Sequence, residues 1–217
     1  MKAVLFDGPG CIGCRACVDA CKTKYKLPAM DMSGAYAGST LPAEPSTSSK
    51  TYTHPAELSA YTWINVRFTE IEDAKGFRVV NTLHKCMHCV TPACVAACPV
   101  GALHKTADGT ATVYDDNKCI GCRYCMVACP FGIPTYEWNK PIPFIRKCIF
   151  CPDLLEKNEP PACVAACAKR TKCITIGERD AQLAVGRKMI AAAPEKYINH
   201  IYGEEEVGGT NWLFLTG

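Results

Sequence analysis

The chain has few aromatic residues and no long apolar run. Phe, Trp and Tyr make up 9% of its 217 residues, and no stretch approaches the ~18 apolar residues that a membrane-spanning helix needs. Apolar burial is therefore thin for a chain of this length. We expect bonds to metal to supply much of the folding free energy, so that the metal-free chain is largely unfolded.

The sequence also lacks the motifs of common enzymes. It contains no GxGxxG or P-loop nucleotide fingerprint, no nucleophile with a base at a readable spacing, and no pair of acids in a cofactor context. We find no candidate catalytic residue. The sequence therefore predicts a protein that is not itself a catalyst.

Cysteine, by contrast, is abundant. Sixteen of the seventeen cysteines fall into four compact motifs, with spacings of the CxxCxxCxxxC kind. In two-cluster ferredoxins such spacing binds [4Fe-4S] clusters, and the fourth cysteine of one motif serves the neighbouring cluster. The sequence therefore predicts four [4Fe-4S] clusters. The motifs are Cys11, Cys14, Cys17 and Cys21; Cys86, Cys89, Cys94 and Cys98; Cys119, Cys122, Cys125 and Cys129; and Cys148, Cys151, Cys163 and Cys167.

Zinc and disulfide bonds are the alternatives. Zinc sites use two separated cysteine pairs, whereas three of these motifs place four cysteines within eleven to thirteen residues. The fourth is looser, with eleven residues between Cys151 and Cys163. So many unpaired thiols argue against an oxidising compartment. We expect cytoplasmic cluster loading, because Cys11 leaves no room for a leader; the alternative is export of the folded chain to the periplasm with a leader-bearing partner.

The formal charge of +3 counts every thiol as neutral. Four oxidised clusters with their thiolates would change the net charge to about −5. We therefore interpret the basic residues beside the motifs as compensation for cluster charge, and not as a nucleic-acid surface. These residues are Arg15, Lys22, Lys24, Lys85, Arg123, Arg146, Lys147, Lys169, Arg170 and Lys172.

The residue after each fourth cysteine sorts the motifs into pairs. Pro99 and Pro130 follow Cys98 and Cys129, whereas the first and last motifs lack this proline. This favours a nested pairing, second motif with third and first with last; sequential pairing is the alternative. The nested ligand sets are Cys11, Cys14, Cys17 and Cys167 (set A); Cys148, Cys151, Cys163 and Cys21 (set B); Cys86, Cys89, Cys94 and Cys129 (set C); and Cys119, Cys122, Cys125 and Cys98 (set D).

The predicted fold class is α+β, with two ferredoxin-like modules that each bind two clusters. Residues 1–27 plus 141–177 form the outer module, 84–140 the inner module, 28–83 an insertion or docking segment, and 178–217 a C-terminal helix and strap. Leu27 to His54 indicates an irregular insertion, either a mobile loop or a docking arm. The predicted strands are Ala3–Phe6, Thr110–Tyr114 and Trp212–Leu215. Each fourth cysteine is expected on a short helix, as at Ala16–Lys22 and Val95–Cys98. A surface helix is predicted at Glu178–Ala193, with Val185 and Met189, and Leu183 and Ile190, in its apolar pattern.

Two further residues bear on the clusters. His88 lies between Cys86 and Cys89 and could donate a hydrogen bond to a cluster sulfur, raising the potential. It is not expected to be a ligand, because cysteines already saturate the site. Cys173 is the seventeenth cysteine, and we interpret it as a small buried side chain.

The motifs and their flanks resemble a known family. The resemblance lies in HKCMHCVTPACVAACPVGAL at His84–Leu103, CIGCRYCMVACPFGIPTYEW at Cys119–Trp138 and RKCIFC at Arg146–Cys151. These segments are similar to the four-cluster iron-sulfur subunits of molybdenum and tungsten bis-pterin oxidoreductases. The flanking segments ELSAYTWINVRFTE at Glu57–Glu70 and YINHIYGEEEVGGTNWLFL at Tyr197–Leu215 favour the formate dehydrogenase beta subunits. Similar subunits occur in hydrogenases and in the dimethyl sulfoxide reductase group.

This resemblance implies an electron-transfer subunit. Its partners would be a large Mo/W bis-pterin catalytic subunit and a further redox protein or membrane subunit as acceptor. The family's ligand pairing agrees with the nested sets. Two features depart from the family: Ala168 stands where proline usually follows the last ligand, and we expect no C-terminal transmembrane helix of the kind that membrane-bound members add. A free polyferredoxin and the iron-sulfur subunit of a hydrogenase or another bis-pterin reductase are the alternatives.

Overall fold

A computed structural model describes residues 1–28, 57–73, 76–138, 140–141 and 143–217. The predicted insertion at Leu27 to His54 lies almost entirely outside these residues. The described chain combines short helices with small sheets, which confirms the α+β class. No helix among the described residues has the length and apolar character to cross a membrane.

The elements follow the cysteine motifs along the chain. The strands are β1 (Lys2–Asp7), β2 (Ile64–Asp73), β3 (Gly76–Lys85), β4 (Leu103–Lys105), β5 (Thr112–Tyr114), β6 (Thr135–Tyr136), β7 (Ile145–Arg146), β8 (Ile174–Glu178) and β9 (Trp212–Leu215). The helices are α1 (Ala16–Tyr25), α2 (Ala93–Ala96), α3 (Tyr124–Ala128), α4 (Pro152–Leu155), α5 (Ala162–Ala168) and α6 (Arg179–Ala192), with a 3₁₀ turn at Glu206–Gly208.

One three-stranded sheet joins the two ends of the described chain. Its order is β8-β1-β9, with β8 antiparallel and β9 parallel to the central β1. The predicted strands at Ala3–Phe6 and Trp212–Leu215 are confirmed and lie side by side. The apolar segment Trp212–Leu215 is therefore part of the core, and not a free interaction patch.

This sheet has two buried faces, because alternate side chains of a strand point in opposite directions. Leu5, Leu213 and Leu215 pack beneath α6, whereas Val4 and Trp212 pack toward the cysteine motifs. The sheet therefore connects the C-terminal helix to the cluster-binding region.

The position of α6 is confirmed, but its predicted buried face is wrong at Val185, which is 41% exposed. Leu183 and Ile190, the other predicted pair, are buried as expected, together with Gly186. Gly186 allows close packing, because an added Cβ there would lie 2.9 Å from Ile201 Cδ1.

A long hairpin was missed in the sequence. Strands β2 and β3 pair antiparallel over ten residues each, and β3 leads directly into Cys86. Its buried residues, among them Ile64, Val66 and Leu83, join the core around α1 and α5. The alternation of Ile64, Val66 and Phe68 with polar residues was the available strand signal.

The fourth cysteine lies inside a helix in two motifs and beyond the end of a helix in the other two. Cys21 and Cys167 lie inside α1 and α5, as expected, but α2 and α3 end before Cys98 and Cys129. The prediction that every fourth cysteine lies on a helix is therefore wrong for the second and third motifs. Pro99 and Pro130 explain the difference, since a residue before proline is disfavoured in the helical region; the ψ angle of Cys129 is 115°.

Candidate iron-sulfur centres

All four motifs share one feature of backbone conformation. The residue before the second cysteine has a positive φ in each motif: 68° at Gly13, 49° at His88, 69° at Gly121 and 70° at Phe150. Glycine adopts this conformation at little cost, whereas His and Phe do so only where the surroundings hold them. The second and fourth motifs therefore carry a local backbone cost for a side chain at this position.

One cavity is surrounded by the thiols of set D, together with Leu103, Tyr136 and Ile145. Its empty volume is about 290 Å³, adjoining solvent included. The Tyr136 hydroxyl lies 3.2 Å from Cys125 Sγ; the sequence analysis did not single out this residue. Three thiols of the cavity come from the third motif and one from the second. The cysteines that line it are Cys98, Cys119, Cys122 and Cys125.

A second cavity is surrounded by the thiols of set B, with apolar walls that include Ile64, Phe150 and Trp212. Its empty volume is about 370 Å³, adjoining solvent included. Burial raises the pKa of Cys163 to about 12, and the Lys85 ammonium opposes that rise. Three of the thiols come from the fourth motif and one from the first. The cysteines that line it are Cys21, Cys148, Cys151 and Cys163.

The thiols of set C also interact with one another. Burial raises the pKa of Cys89 to about 11, and the charges of Cys86 and Cys129 add to the rise. Burial likewise raises the pKa of Cys94 to about 12, with the same two cysteines contributing and Lys147 opposing. Cys129 of the third motif therefore lies within electrostatic reach of the second motif.

A fifth thiol, that of Cys173, lies beside the four of set A. Burial raises the pKa of Cys17, and the charges of Cys163, Cys167 and Cys14 add to the rise. Cys173 Sγ lies 3.3 Å from Cys167 Sγ and is hydrogen-bonded to Cys11. It is buried, as expected, but it contacts two of the four predicted ligands.

Cys173 reaches this position because α5 ends at Ala168. The chain then turns, and the backbone N–H of Lys172 donates to the carbonyl of Cys167. The Thr171 hydroxyl donates to Cys173 Sγ at 3.2 Å. This turn after α5 places Cys173 beside Cys167.

The donor sets fit iron-sulfur clusters. Within the described ranges, no three His, Cys, Asp or Glu side chains converge on a single-ion site. Four thiols instead surround each of two largely apolar cavities, and Cys₄ thiolate ligation is the usual donor set of a [4Fe-4S] cluster.

The His88 ring reaches the fourth motif. The backbone N–H of Thr112 donates to His88 Nδ1 at 3.0 Å, so in a neutral ring the proton lies on Nε2. Nε2 lies 3.4 Å from Cys148 Sγ. Burial, followed by three nearby lysine charges, lowers the pKa of His88 well below its usual range, which is consistent with a neutral ring that donates to this thiol.

Comparisons with known proteins agree with this chemistry. Two family models, each described as a 4Fe-4S dicluster domain, match residues 10–102 and 78–179. A protein of Nitratidesulfovibrio vulgaris strain Hildenborough is 37% identical over 215 residues, which cover 99% of this chain and 54% of that protein. The hydrogenase-2 operon protein HybA of Escherichia coli O157:H7 is 32% identical over 246 residues, 99% of this chain and 69% of HybA.

A third relative is the iron-sulfur subunit of the nitrate-inducible formate dehydrogenase of Escherichia coli K12. It is 34% identical over 216 residues, 98% of this chain and 67% of that subunit. The chain belongs to this family of iron-sulfur subunits. It spans about half the length of the Nitratidesulfovibrio protein and about two thirds of the other two relatives.

As a member of the family, the chain is an electron-transfer iron-sulfur subunit with [4Fe-4S] clusters in dicluster domains. Of the basic residues predicted to compensate cluster charge, only Lys85 and Lys147 are fully buried. Lys24 is paired with Asp153, and Arg146 with Asp116 and Glu137. Lys85 and Lys147 are therefore the cations of this group that are most shielded from water.

Proposed function

We propose that this chain holds four [4Fe-4S] clusters and conducts electrons between a Mo/W bis-pterin catalytic subunit, in a formate dehydrogenase-like complex, and a redox acceptor. The observation that carries the proposal is the composition of the two cavities. Each is lined by three thiols of one motif and one thiol of another, Cys98 in one case and Cys21 in the other. Two-cluster ferredoxins exchange their fourth ligand in this way.

The four clusters would be held by sets A, B, C and D as defined above. When bound, each cluster supplies a one-electron redox couple. The chain keeps the ligands fixed and the sites dry: the walls of the set B cavity include Tyr25, Ile64 and Trp212. Such walls control solvent access and local dielectric, and hence the reduction potential.

Interactions between neighbouring sets support the order A, B, C, D. Cys17 of set A interacts electrostatically with Cys163 of set B, and Cys148 of set B with Cys86 of set C. Cys94 of set C packs against the core that contains Cys125 of set D. Sets A and D, at the two ends of this order, would be accessible to partners. Ile12 and Ile120, which follow the first cysteine of their motifs, are 67% and 62% exposed. Electrons would then enter at one of these ends and leave at the other.

Formate dehydrogenase is the partner we favour, because the resemblance includes the segments that flank the motifs. The similarity to HybA keeps a hydrogenase as a second candidate source of electrons. A free polyferredoxin is disfavoured because the β2–β3 hairpin packs into the core. A carrier that only holds clusters would not need this hairpin.

The test is anaerobic purification of the native complex, with iron, tungsten and molybdenum quantified and formate-dependent dye reduction measured. We expect about sixteen irons per chain, since four clusters hold four irons each, together with a large tungsten or molybdenum subunit and formate activity. The same iron content in a lone small protein would indicate a polyferredoxin. Dye reduction by hydrogen but not by formate would indicate a hydrogenase.

A further inference from the structure

The second and fourth motifs meet with local pseudo-symmetry. A fully buried lysine precedes the first cysteine in each: Lys85 before Cys86, and Lys147 before Cys148. Each ammonium donates to the carbonyl of the cysteine that follows it, at 3.0 Å and 3.1 Å. The two lysines are therefore equivalent positions of two repeats.

The residues two positions beyond these cysteines also meet. His88 and Phe150, both with positive φ, are in edge-to-face contact with ring centroids 4.8 Å apart. The two motifs thus pack against each other at the junction between the outer and inner modules. Cys148 and Cys86 interact electrostatically across the same junction.

Lys85 crosses this junction. It belongs to the second motif, whose thiols form set C, yet it lines the cavity of set B. Its ammonium lies 3.1 Å from the ring centroid of Trp212, a cation–π contact in a buried site. A cation therefore lies beside a cavity to which its own motif contributes no thiol.

Lys147 crosses in the opposite direction. It belongs to the fourth motif, whose thiols line the set B cavity, yet its ammonium donates to the carbonyl of Thr112 on β5, in the predicted inner module. Thr112 pairs with Lys105 of β4, and the Lys105 ammonium donates to the carbonyl of Cys89, a set C ligand, at 3.0 Å. The ammonium is thus held on the set C side of the junction.

We propose that Lys85 and Lys147 are reciprocal positioning residues that set the reduction potentials of the two central clusters, each acting mainly on the cluster bound by the other motif. Lys85 favours the electron on the set B cluster, and Lys147 favours it on the set C cluster. This inference rests on the proposed function, because it requires clusters in both sets.

The physical reason is the charge of the reduced state. Adding an electron makes a cluster and its thiolates more negative, so a fixed cation nearby stabilises the reduced form more than the oxidised form. Burial strengthens the effect, because neither ammonium is screened by water. Two cations that straddle the junction keep both central potentials high enough for electrons to pass between the modules.

The experiment uses Lys85→Met and Lys147→Met in the complete complex, with Lys118→Met as the matched control. Lys118 also precedes the first cysteine of its motif, but its side chain is 59% exposed and lies 3.9 Å from the Asp115 carboxylate. Each cluster is assigned by its electron paramagnetic resonance signal with one ligand variant per set, and its midpoint potential is then titrated. The assigning variants are Cys14→Ser, Cys151→Ser, Cys89→Ser and Cys122→Ser.

We expect Lys85→Met to lower the equilibrium constant for electron uptake by the set B cluster about tenfold, which is 59 mV for a one-electron couple. The set C cluster should change by much less. Lys147→Met should give the converse pattern, and Lys118→Met should move no potential. Lys85→Arg and Lys147→Arg keep the charge and should retain both potentials within about twofold in the same constant.

The inference is overturned if Lys85→Met shifts the set C cluster more than the set B cluster, if both shift equally, or if neither moves while all iron is retained. It is also overturned if the arginine variants shift as far as the methionine variants, since shape and not charge would then matter. If a methionine variant fails to load, Lys85→Gln or Lys147→Gln, which also removes the charge, replaces it in the same titration with the same expected shift. Failure of the proposed function is distinct, because the unmodified chain would then hold far fewer than about sixteen irons.

Discussion

The predicted outer and inner modules carry the same kind of cysteine ligands with different amounts of protein around them. Among the described residues, the core that contains Cys17, Cys21 and Cys163 has seventeen buried residues, whereas the core around Cys125 has four. The helices differ in the same direction: α1 and α5 have ten and seven residues, and α2 and α3 have four and five. The inner module therefore has far less apolar packing to maintain its fold without metal.

The residue after the fourth cysteine explains part of this difference. Where it is Lys22 or Ala168, the helix continues through the cysteine; where it is Pro99 or Pro130, the helix has already ended. A longer helix brings more side chains into the core. A proline therefore gives a compact ligand loop and limits the packing around it.

Removing the clusters should reveal the difference between the two modules most clearly. Under an anaerobic chelator, we expect hydrogen exchange protection to disappear across residues 84–138, because helices of four or five residues do not persist without tertiary support. Protection should persist longest in β1, β9 and α6, which pack around Leu5, Leu213 and Leu215. Mass spectrometry of peptides from both regions measures this.

The matched control is the loaded protein in the same buffer without chelator. Equal loss of protection in both regions would contradict a difference between the modules, and would instead indicate that the whole metal-free chain unfolds together.

Exchanging one crossed ligand should remove one cluster. Cys98→Ser is expected to lose about four of about sixteen irons, and the signal that disappears should be that of the set D cluster, although Cys98 belongs to the second motif. Cys21→Ser should do the same to the set B cluster. Iron analysis and assigned spectra measure both changes. Loss of the set C signal in Cys98→Ser would mean that the second motif keeps its own fourth cysteine.

A change of proline should affect the two modules unequally. Ala168→Pro removes a helical N–H, forces Cys167 away from helical geometry and should cost about 3 kcal/mol. Pro130→Ala should cost less than about 1 kcal/mol, because Cys129 is already extended and alanine can adopt the same backbone. The rate of loss of iron-sulfur absorbance in urea compares them. Equal rates would refute the idea that Cys167 must remain helical.

Much of this arrangement could be predicted from local sequence. The CxxC spacing indicates the cofactor by ligand chemistry alone, and alternation of apolar residues indicates β1 and β9. The position of α6 was also predictable, as were Leu183 and Ile190 on its buried face, whereas the burial of Gly186 was not. That face depends on Gly186, which allows Ile201 to approach. Such a contact joins segments that the sequence does not show to be neighbours.

The crossed contacts could not be predicted for the same reason. His88 and Lys85 flank Cys86, so sequence alone assigns them to the cluster of their own motif. The structure directs both toward the cavity lined by Cys148, because the second and fourth motifs pack back to back. Proximity in the chain therefore identifies the relevant side chains but not the cluster on which they act.

The smallest effect is expected at Cys173, where the outer module has a thiol with no counterpart among the predicted inner ligands. A cubane takes four cysteines, and Cys167 lies on α5 in the same helix as Cys163, which keeps its sulfur fixed. We therefore expect Cys173→Ala to retain all iron and Cys167→Ala to lose about four irons.

The thiol of Cys173 would act by donating a weak hydrogen bond to a ligand sulfur, so its removal should lower the potential of the set A cluster slightly. Iron content and a redox titration of both variants decide between the two cysteines. Iron loss in Cys173→Ala, with iron retained in Cys167→Ala, would make Cys173 the fourth ligand, since the chain after α5 turns far enough to deliver either sulfur.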